Sequence, residues 1–284
     1  MVESIQTICV CGAGTMGSGI AQVVAQNGFR AVLFDLDEKV LEKAAASIEL
    51  NLSILHEKNK ISLQEKISIS SSIEFVSDIK ECRGEVIIEA IIEKAESKID
   101  LFNQLSAINH SETIFATNTS SLSVSAIARE VKNPSHVAGM HFFNPAPLMK
   151  LVEVVKSQYT NDQTVFSLCG LAKRLGKIPV VCKDLPGFIV NRVARHYYLE
   201  ALALAEKGIA DFETIDTILE ATGFKMGPFK LMDLIGNDIN LAVTRSLYDA
   251  FDNSIRFRPS PIQEEKVKKG ELGRKTGKGY YTYQ

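Results

Sequence analysis

Apolar and polar positions follow two regimes along this chain. In the first, short apolar runs alternate with stretches of helical spacing. Thr7-Ile8-Cys9-Val10-Cys11 is a short apolar run ending in glycines, which fits a strand buried on both faces of a parallel sheet. Ile20, Val23, Val24 and Asn27 then fall at helical spacing, with Gly28 as a stop. Ala31-Val32-Leu33-Phe34 is a second strand, ended by Asp35. The three segments form a βαβ unit, whose crossover is expected to be right-handed. Residues 38–66 are rich in Glu, Lys, Ala and Leu and predict one or two long helices. Further strands are predicted at Glu85–Glu89, Ile114–Ala116, Val137–Met140 and Lys150–Val155, with helical stretches between several of them. Such alternation implies an α/β domain with a mainly parallel sheet.

The second regime begins near Asp184-Leu185-Pro186-Gly187, a reasonable hinge or domain start. Beyond it almost only helical periodicity remains, with helices expected in 188–208, 211–222, 229–252 and 260–270. The predicted domains are therefore residues 1–183, with a helical arm at about 38–66, and an all-α domain over 184–284.

The glycines after the first strand add chemistry to this outline. Gly12-Ala13-Gly14-Thr15-Met16-Gly17 is G-x-G-x-x-G. Its place between a strand and a helix is what gives the motif weight. The first glycine permits a tight turn, the second lets backbone approach a pyrophosphate, and the third permits close helix–strand packing. The helix N-terminus then offers unpaired N–H groups and the positive end of its dipole to phosphates. Asp35 stands 18 residues beyond Gly17, where a carboxylate accepts hydrogen bonds from ribose hydroxyls. No Arg follows it to hold a 2′-phosphate, so the pattern favours NAD over NADP. The fold class is α/β, an N-terminal Rossmann-type doubly wound sheet followed by an all-α C-terminal domain.

Composition narrows the partners. The chain has 284 residues, 45% hydrophobic and 23% charged, which excludes a disordered chain. The net charge of −2 gives no long-range attraction for nucleic acid or an anionic membrane. No apolar run approaches a bilayer span and no leader segment is visible, so a cytoplasmic protein is expected. Five scattered cysteines (Cys9, Cys11, Cys82, Cys169, Cys182) suggest neither a disulfide framework nor a zinc site. Cys9 and Cys11, two apart in a strand, are expected to face the same way as structural thiols. No metal is expected.

The densest polar cluster runs from 117 to 153. Thr117-Asn118-Thr119-Ser120-Ser121 follows a short strand, where loops line the ligand crevice of a doubly wound sheet. The same residues could instead cap a helix beginning near Val124. His141 follows the apolar strand 137–140 and is expected at its end. Glu153 lies twelve positions on, in Leu151-Val152-Glu153-Val154-Val155. A lone carboxylate in so apolar a strand needs a partner. A histidine on the neighbouring strand would supply it, giving a carboxylate-oriented general base. A purely structural histidine stays open on spacing alone.

At this point the chain closely resembles the short-chain L-3-hydroxyacyl-CoA dehydrogenases, especially the bacterial 3-hydroxybutyryl-CoA dehydrogenases. The matching segments are Gly12–Gly17, Glu89-Ala90-Ile91-Ile92-Glu93, Asn118-Thr119-Ser120-Ser121-Leu122 and His141-Phe142-Phe143-Asn144-Pro145. The match continues through Lys150–Val155, Pro186–Arg192, Met226-Gly227-Pro228 and Gly273–Tyr281. The resemblance implies reversible, NAD-dependent oxidation of an (S)-3-hydroxyacyl-CoA. His141 corresponds to the catalytic histidine and Glu153 to its carboxylate. Ser120, Asn144 and Asn191 match residues around the reacting oxygens. Asp35, Glu93, Lys98, Asn118 and Lys275 match positions near NAD, with Ser120 and Asn144 shared, and Lys58 falls near the CoA moiety. It also implies a homodimer formed through the C-terminal helical domain. On the residues alone, the basic segment holding Lys275 could be a solvated tail. A dehydrogenase of free hydroxy acids or sugar acids, or a non-catalytic protein on this fold, remains an alternative. The length leaves no room for a fused hydratase, so a stand-alone enzyme is expected.

Overall fold

In this computed structural model residues 5–283 are described. The chain divides into two compact units, Met1–Leu185 and Pro186–Gln284. The first contains β1 (Thr7–Cys11), α1 (Thr15–Gln26), β2 (Arg30–Phe34), α2 (Glu38–Glu57), α3 (Leu63–Ser71) and β3 (Ile73–Val76). It continues with β4 (Val86–Glu89), α4 (Ala95–Ile108), β5 (Ile114–Thr117), α5 (Val124–Arg129) and β6 (Val137–Phe142). It ends with β7 (Leu151–Lys156), α6 (Asp162–Arg174) and β8 (Ile178–Lys183). The second unit contains α7 (Val190–Glu206), α8 (Phe212–Ala221), α9 (Pro228–Ile235), α10 (Asn237–Ala250) and α11 (Pro261–Lys268).

The eight strands form one sheet in the order β3-β2-β1-β4-β5-β6-β7-β8. β1 to β6 run parallel; β7 turns back antiparallel to β6, and β8 runs parallel to β7. Strand order reverses on either side of β1, so the ligand crevice is expected at the carboxyl ends of β1 and β4. β1 is buried on both faces. Ile8 and Val10 join an apolar cluster with residues of α1, α2 and α6, while Cys9 and Cys11 face residues of α4 and α5. Helices on both faces explain why the inner strands read as unbroken apolar runs.

The helical arm is two helices. α2 buries Leu41, Ala44, Ile48 and Leu52, one face at helical spacing, and is capped by the Asp37 carboxylate on the Lys39 amide. The chain then breaks, and Ser62 and Glu65 form a capping box that restarts it as α3, which runs past residue 66 to Ser71. The expected helix at 229–252 is also two. Its periodicity runs on, but Gly236 adopts φ 103°, which a continuing helix cannot accommodate. Two strands lack a sequence signal, and both are sheet edges. β3 has only its end residues buried. β8 is largely exposed and contains Pro179, which an edge strand tolerates. His141 does not follow β6 but lies inside it, because the strand extends to Phe142. The cap of α5 is Ser123, two residues beyond the segment 117–121. The Asp184 carboxylate adds to it by accepting from the Val124 and Ser125 amides at 3.1 and 2.6 Å.

The helical unit is organised by two buried carboxylates. Asp216 accepts from the Phe229 and Lys230 amides at 2.9 Å each and from the Tyr281 hydroxyl at 2.8 Å. Asp233 accepts from the Tyr280 and Tyr281 amides, the Tyr283 hydroxyl (3.0 Å each) and the Asn237 amide group (2.9 Å). Charged acceptors are affordable here because neutral donors surround them. They fasten the chain's last turn to α8 and α9. Replacing Asp233 by Ala leaves two backbone amides without acceptors, at about 1–3 kcal/mol each. Chemical unfolding is expected to show a loss of about 2–6 kcal/mol, with earlier tryptic cleavage after Lys278.

Candidate active site

The glycine turn is packed from below and open above. A Cβ on Gly12, itself at φ 98°, would sit 2.6 Å from the Ala90 carbonyl oxygen, and one on Gly17 only 1.7 Å from the Gly12 oxygen. A Cβ on Gly14 would meet nothing within 4 Å. The turn therefore admits no side chains inward and leaves space where a pyrophosphate approaches. α1 begins with no side-chain cap and no acidic residue in its first turn, so its leading amides remain available to an anion. Thr15 is exposed and Met16 half-buried beside them. Asp35 accepts from the Ala13 amide at 2.8 Å and the Asp37 amide at 3.1 Å, fixing its carboxylate at the carboxyl end of β2. Gly14 and Thr15 line a cleft of about 360 Å³ with Asn144, Pro145 and the α2 residues Lys43, Ser47 and Asn51. These residues fit a dinucleotide with a free ribose 2′-hydroxyl.

Beside this turn lies a charge cluster that holds the neighbouring loop. Lys98, buried on α4, places its ammonium 2.6 Å from Glu89 and 3.1 Å from Glu93. Glu89 also accepts from the Thr117 hydroxyl at 2.7 Å and the Ile91 amide at 2.8 Å. Glu93 accepts from the Thr119 hydroxyl, from the Ser120 amide at 3.1 Å and from the Ser121 hydroxyl at 3.0 Å. Burial pushes the Glu89 carboxyl up against the pull of Lys98. At Glu93 burial acts the same way, but Lys98 and the hydroxyls outweigh it and hold the carboxyl below its ordinary value. The loop Asn118–Ser121 is thus pinned through Glu93. Glu89 was not singled out from the sequence; a carboxylate at the end of a wholly apolar strand was the signal.

The antiparallel turn-back of β7 sets His141 directly opposite Glu153 in register. Both side chains are buried, and His141 Nδ1 lies 2.8 Å from Glu153 Oε2. The Phe143 ring packs against the imidazole, centroids 4.5 Å apart. Asn118 ties this strand to the adjacent loop. Its side-chain oxygen accepts from the Phe142 amide at 2.8 Å, and its own amide donates to the Glu89 carbonyl at 2.8 Å. His141, Glu153, Asn118, Ser120 and Asn144 thereby gather on the crevice side of the sheet with the glycine turn.

Three further sequence-derived candidates are carried by other elements. Lys58 is exposed at the C-cap of α2. Asn191 lies in the first turn of α7 and Lys275 pairs with Asp238 at 2.6 Å, both in the helical unit. The fold also brings together what the sequence scatters. Cys82 joins Cys9 and Cys11 beneath β1, with the three sulfurs within 4.8 Å of one another. They are packed in an apolar cluster, and no other group of three metal-ligating side chains occurs among the described residues.

A doubly wound sheet, an open glycine turn with its acidic partner, and an imidazole–carboxylate pair at the same crevice define a dinucleotide-dependent oxidoreductase. Residues 7–185 match the 3-hydroxyacyl-CoA dehydrogenase NAD binding domain, and residues 187–283 match the C-terminal domain of the same enzymes. The chain belongs to the 3-hydroxyacyl-CoA dehydrogenase family, with NAD as its cofactor. It is 45% identical over its full length to the 3-hydroxyadipyl-CoA dehydrogenase of Escherichia coli, of which it spans 60%. It is 40% identical to a probable 3-hydroxybutyryl-CoA dehydrogenase of Deinococcus radiodurans, covering 96% of this chain and 99% of that one. The crystal structure of (S)-3-hydroxybutyryl-CoA dehydrogenase from Ralstonia eutropha superposes with a TM-score of 0.94 at 36% identity, covering 99% of this chain and 100% of that one. No helix among the described residues is long and apolar enough to cross a membrane.

Lys98→Met strips the counter-charge from a buried carboxylate and is expected to cost about 3–5 kcal/mol in urea unfolding. Glu93 adds a pH signature. Its folded pKa lies below the ordinary 4.5, so its contribution is complete above that value and is lost as pH falls below it. Unfolding measured from pH 7 downward should show a shallower acid loss in Glu93→Gln than in the parent; equal slopes would contradict this.

Proposed function

We propose that the protein interconverts (S)-3-hydroxyacyl-CoA and 3-oxoacyl-CoA thioesters, with short substrates such as 3-hydroxybutyryl-CoA. The observation that carries this reading is the buried His141–Glu153 pair, three residues from the Asn144 that lines the cofactor cleft. Glu153 accepts a hydrogen bond from Nδ1–H and so directs the lone pair of Nε2 to the substrate. In oxidation His141 removes the proton of the 3-hydroxyl as C3 loses hydride, and in reduction it returns that proton to the ketone oxygen. Bound NAD supplies the hydride acceptor. Glu153 stabilises the imidazolium formed in the process, as an orienting carboxylate does. Ser120 and Asn191 hydrogen-bond the reacting oxygen, and Asn144 aligns His141 with the cofactor.

Asp35 receives the ribose hydroxyls, and Glu93, Asn118 and Lys275 complete the cofactor's surroundings. Lys98, already committed to two carboxylates, acts through Glu93. Lys58 reaches toward the CoA moiety. The names of both sequence relatives, each a 3-hydroxyacyl-CoA dehydrogenase, support a CoA thioester over a free hydroxy acid. The helical unit leaves Ile209, Ile218, Phe224 and Ile239 exposed; these apolar side chains support self-association as a homodimer. We place the enzyme in the cytoplasm.

Steady-state kinetics on C4 to C16 3-oxoacyl-CoA thioesters tests the reading. NADH should be strongly preferred to NADPH, and the shortest thioester should have the highest kcat/KM. A preference for NADPH, or turnover of free 3-oxo acids alone, would contradict it. Glu153→Gln should lose about 10- to 100-fold in kcat with NADH affinity little changed. Equal losses in both would make Glu153 a folding residue. Sedimentation at micromolar concentration should give twice the 31.2 kDa chain mass; a monomer would overturn the dimer.

A further inference from the structure

Lys177 is a buried lysine with no carboxylate partner among the described residues. It lies between α6 and β8, and burial alone lowers its pKa. Its ammonium donates to two backbone carbonyls, Ala146 at 2.6 Å and Met149 at 2.9 Å. Both belong to the connection between β6 and β7. Burying a charged group costs free energy unless it is well bonded, so a lysine spent on two loop carbonyls marks a loop whose shape matters.

That connection is otherwise fastened to itself and to its neighbours. The Pro145 carbonyl accepts from the Leu148 and Met149 amides at 3.0 Å each, and the Lys150 carbonyl accepts from the Ile178 amide at 2.8 Å. Ala146 and Pro147 lie against α1 so closely that a Cβ on Gly19 would come within 3.3 Å of each. Upstream, Asn118 holds the Phe142 amide. Asn144 therefore sits between two clamps, Asn118 on residue 142 and Lys177 on residues 146 and 149, with its own side chain exposed to the cleft.

We propose that Lys177 is a positioning residue for the dehydrogenase reaction: it fixes the 143–149 connection and, through it, the orientation of Asn144 beside His141. This rests on the role given to Asn144 above. Displacement of a reacting group by about 1 Å can cost about 100-fold in rate, so a bolt outside the cleft can control turnover. The ammonium touches neither cofactor nor substrate in this reading. Removing it should lower kcat while leaving the affinity set by the glycine turn and Asp35.

The test is a double-mutant cycle on Lys177→Met and Asn144→Ala, with acetoacetyl-CoA and NADH as the probes. Lys177→Met is expected to lower kcat by about 10- to 100-fold, with the NADH dissociation constant, read by fluorescence, changed less than about 3-fold. In the Asn144→Ala background the same substitution should have almost no further effect on kcat, because the side chain it positions is gone. A full, additive loss in that background overturns the proposal, and so does unchanged kcat in Lys177→Met beside an impaired Asn144→Ala. An Asn144→Ala protein with parental kcat removes the role of Asn144 and this proposal with it. Should Lys177→Met not fold, Lys177→Gln, which can still donate to one carbonyl, is carried through the same cycle with the same criteria.

Discussion

The reversal of β7 is the constraint on which the site depends. The five pairings that join β1 to β6 are parallel and bring the carboxyl ends of those strands to one side of the sheet. The single antiparallel pairing puts residue opposite residue, and it is used to set Glu153 against His141. An imidazole and a carboxylate held this way need no flexible loop to find each other. Their geometry follows from backbone hydrogen bonds and from the apolar residues Val152 and Val154, which seat the strand in the core. The orienting group is thus part of the sheet and not of the loops above it.

Those loops are held by charge placed under them. Lys98 draws Glu89 and Glu93 together, and Glu93 gathers Thr119, Ser120 and Ser121. A buried ion cluster gains little net stability over apolar packing, but losing one member is costly. Such a device suits a loop that must keep one shape while exposed to ligand. The carboxyl ends of the strands are joined in sequence by backbone bonds as well: Gly12 to Phe34, Ala90 to Cys11 and Asn118 to Glu89. The crevice is therefore a continuous hydrogen-bonded rim with the glycine turn as one segment of it.

What was legible in the sequence was whatever is encoded locally. The glycine turn and the first two strands carry their information within a few residues, and the structure has them where they were read, with Asp35 directly after β2. Strand alternation showed that Glu153 needed a partner, yet not that β7 runs antiparallel, and His141 was placed one step outside its strand. Residues whose meaning lies in distant partners were silent: Glu89, Asp184, Lys177 and the approach of Cys82 to Cys9 and Cys11. Edge strands β3 and β8 lack the burial that writes a pattern, and the break at Gly236 is a backbone event inside an unbroken periodicity. Ser120, Asn144, Asn191, Lys98 and Lys275 came from family resemblance, because nothing in their spacing distinguishes them from ordinary polar residues.

The proton chemistry assigned to His141 is tested most directly by replacing it with Ala and measuring acetoacetyl-CoA reduction alongside NADH binding. If His141 is the acid and base, turnover should fall by about 100- to 10,000-fold while NADH still binds. Near-parental turnover in that protein would contradict the role of the His141–Glu153 pair.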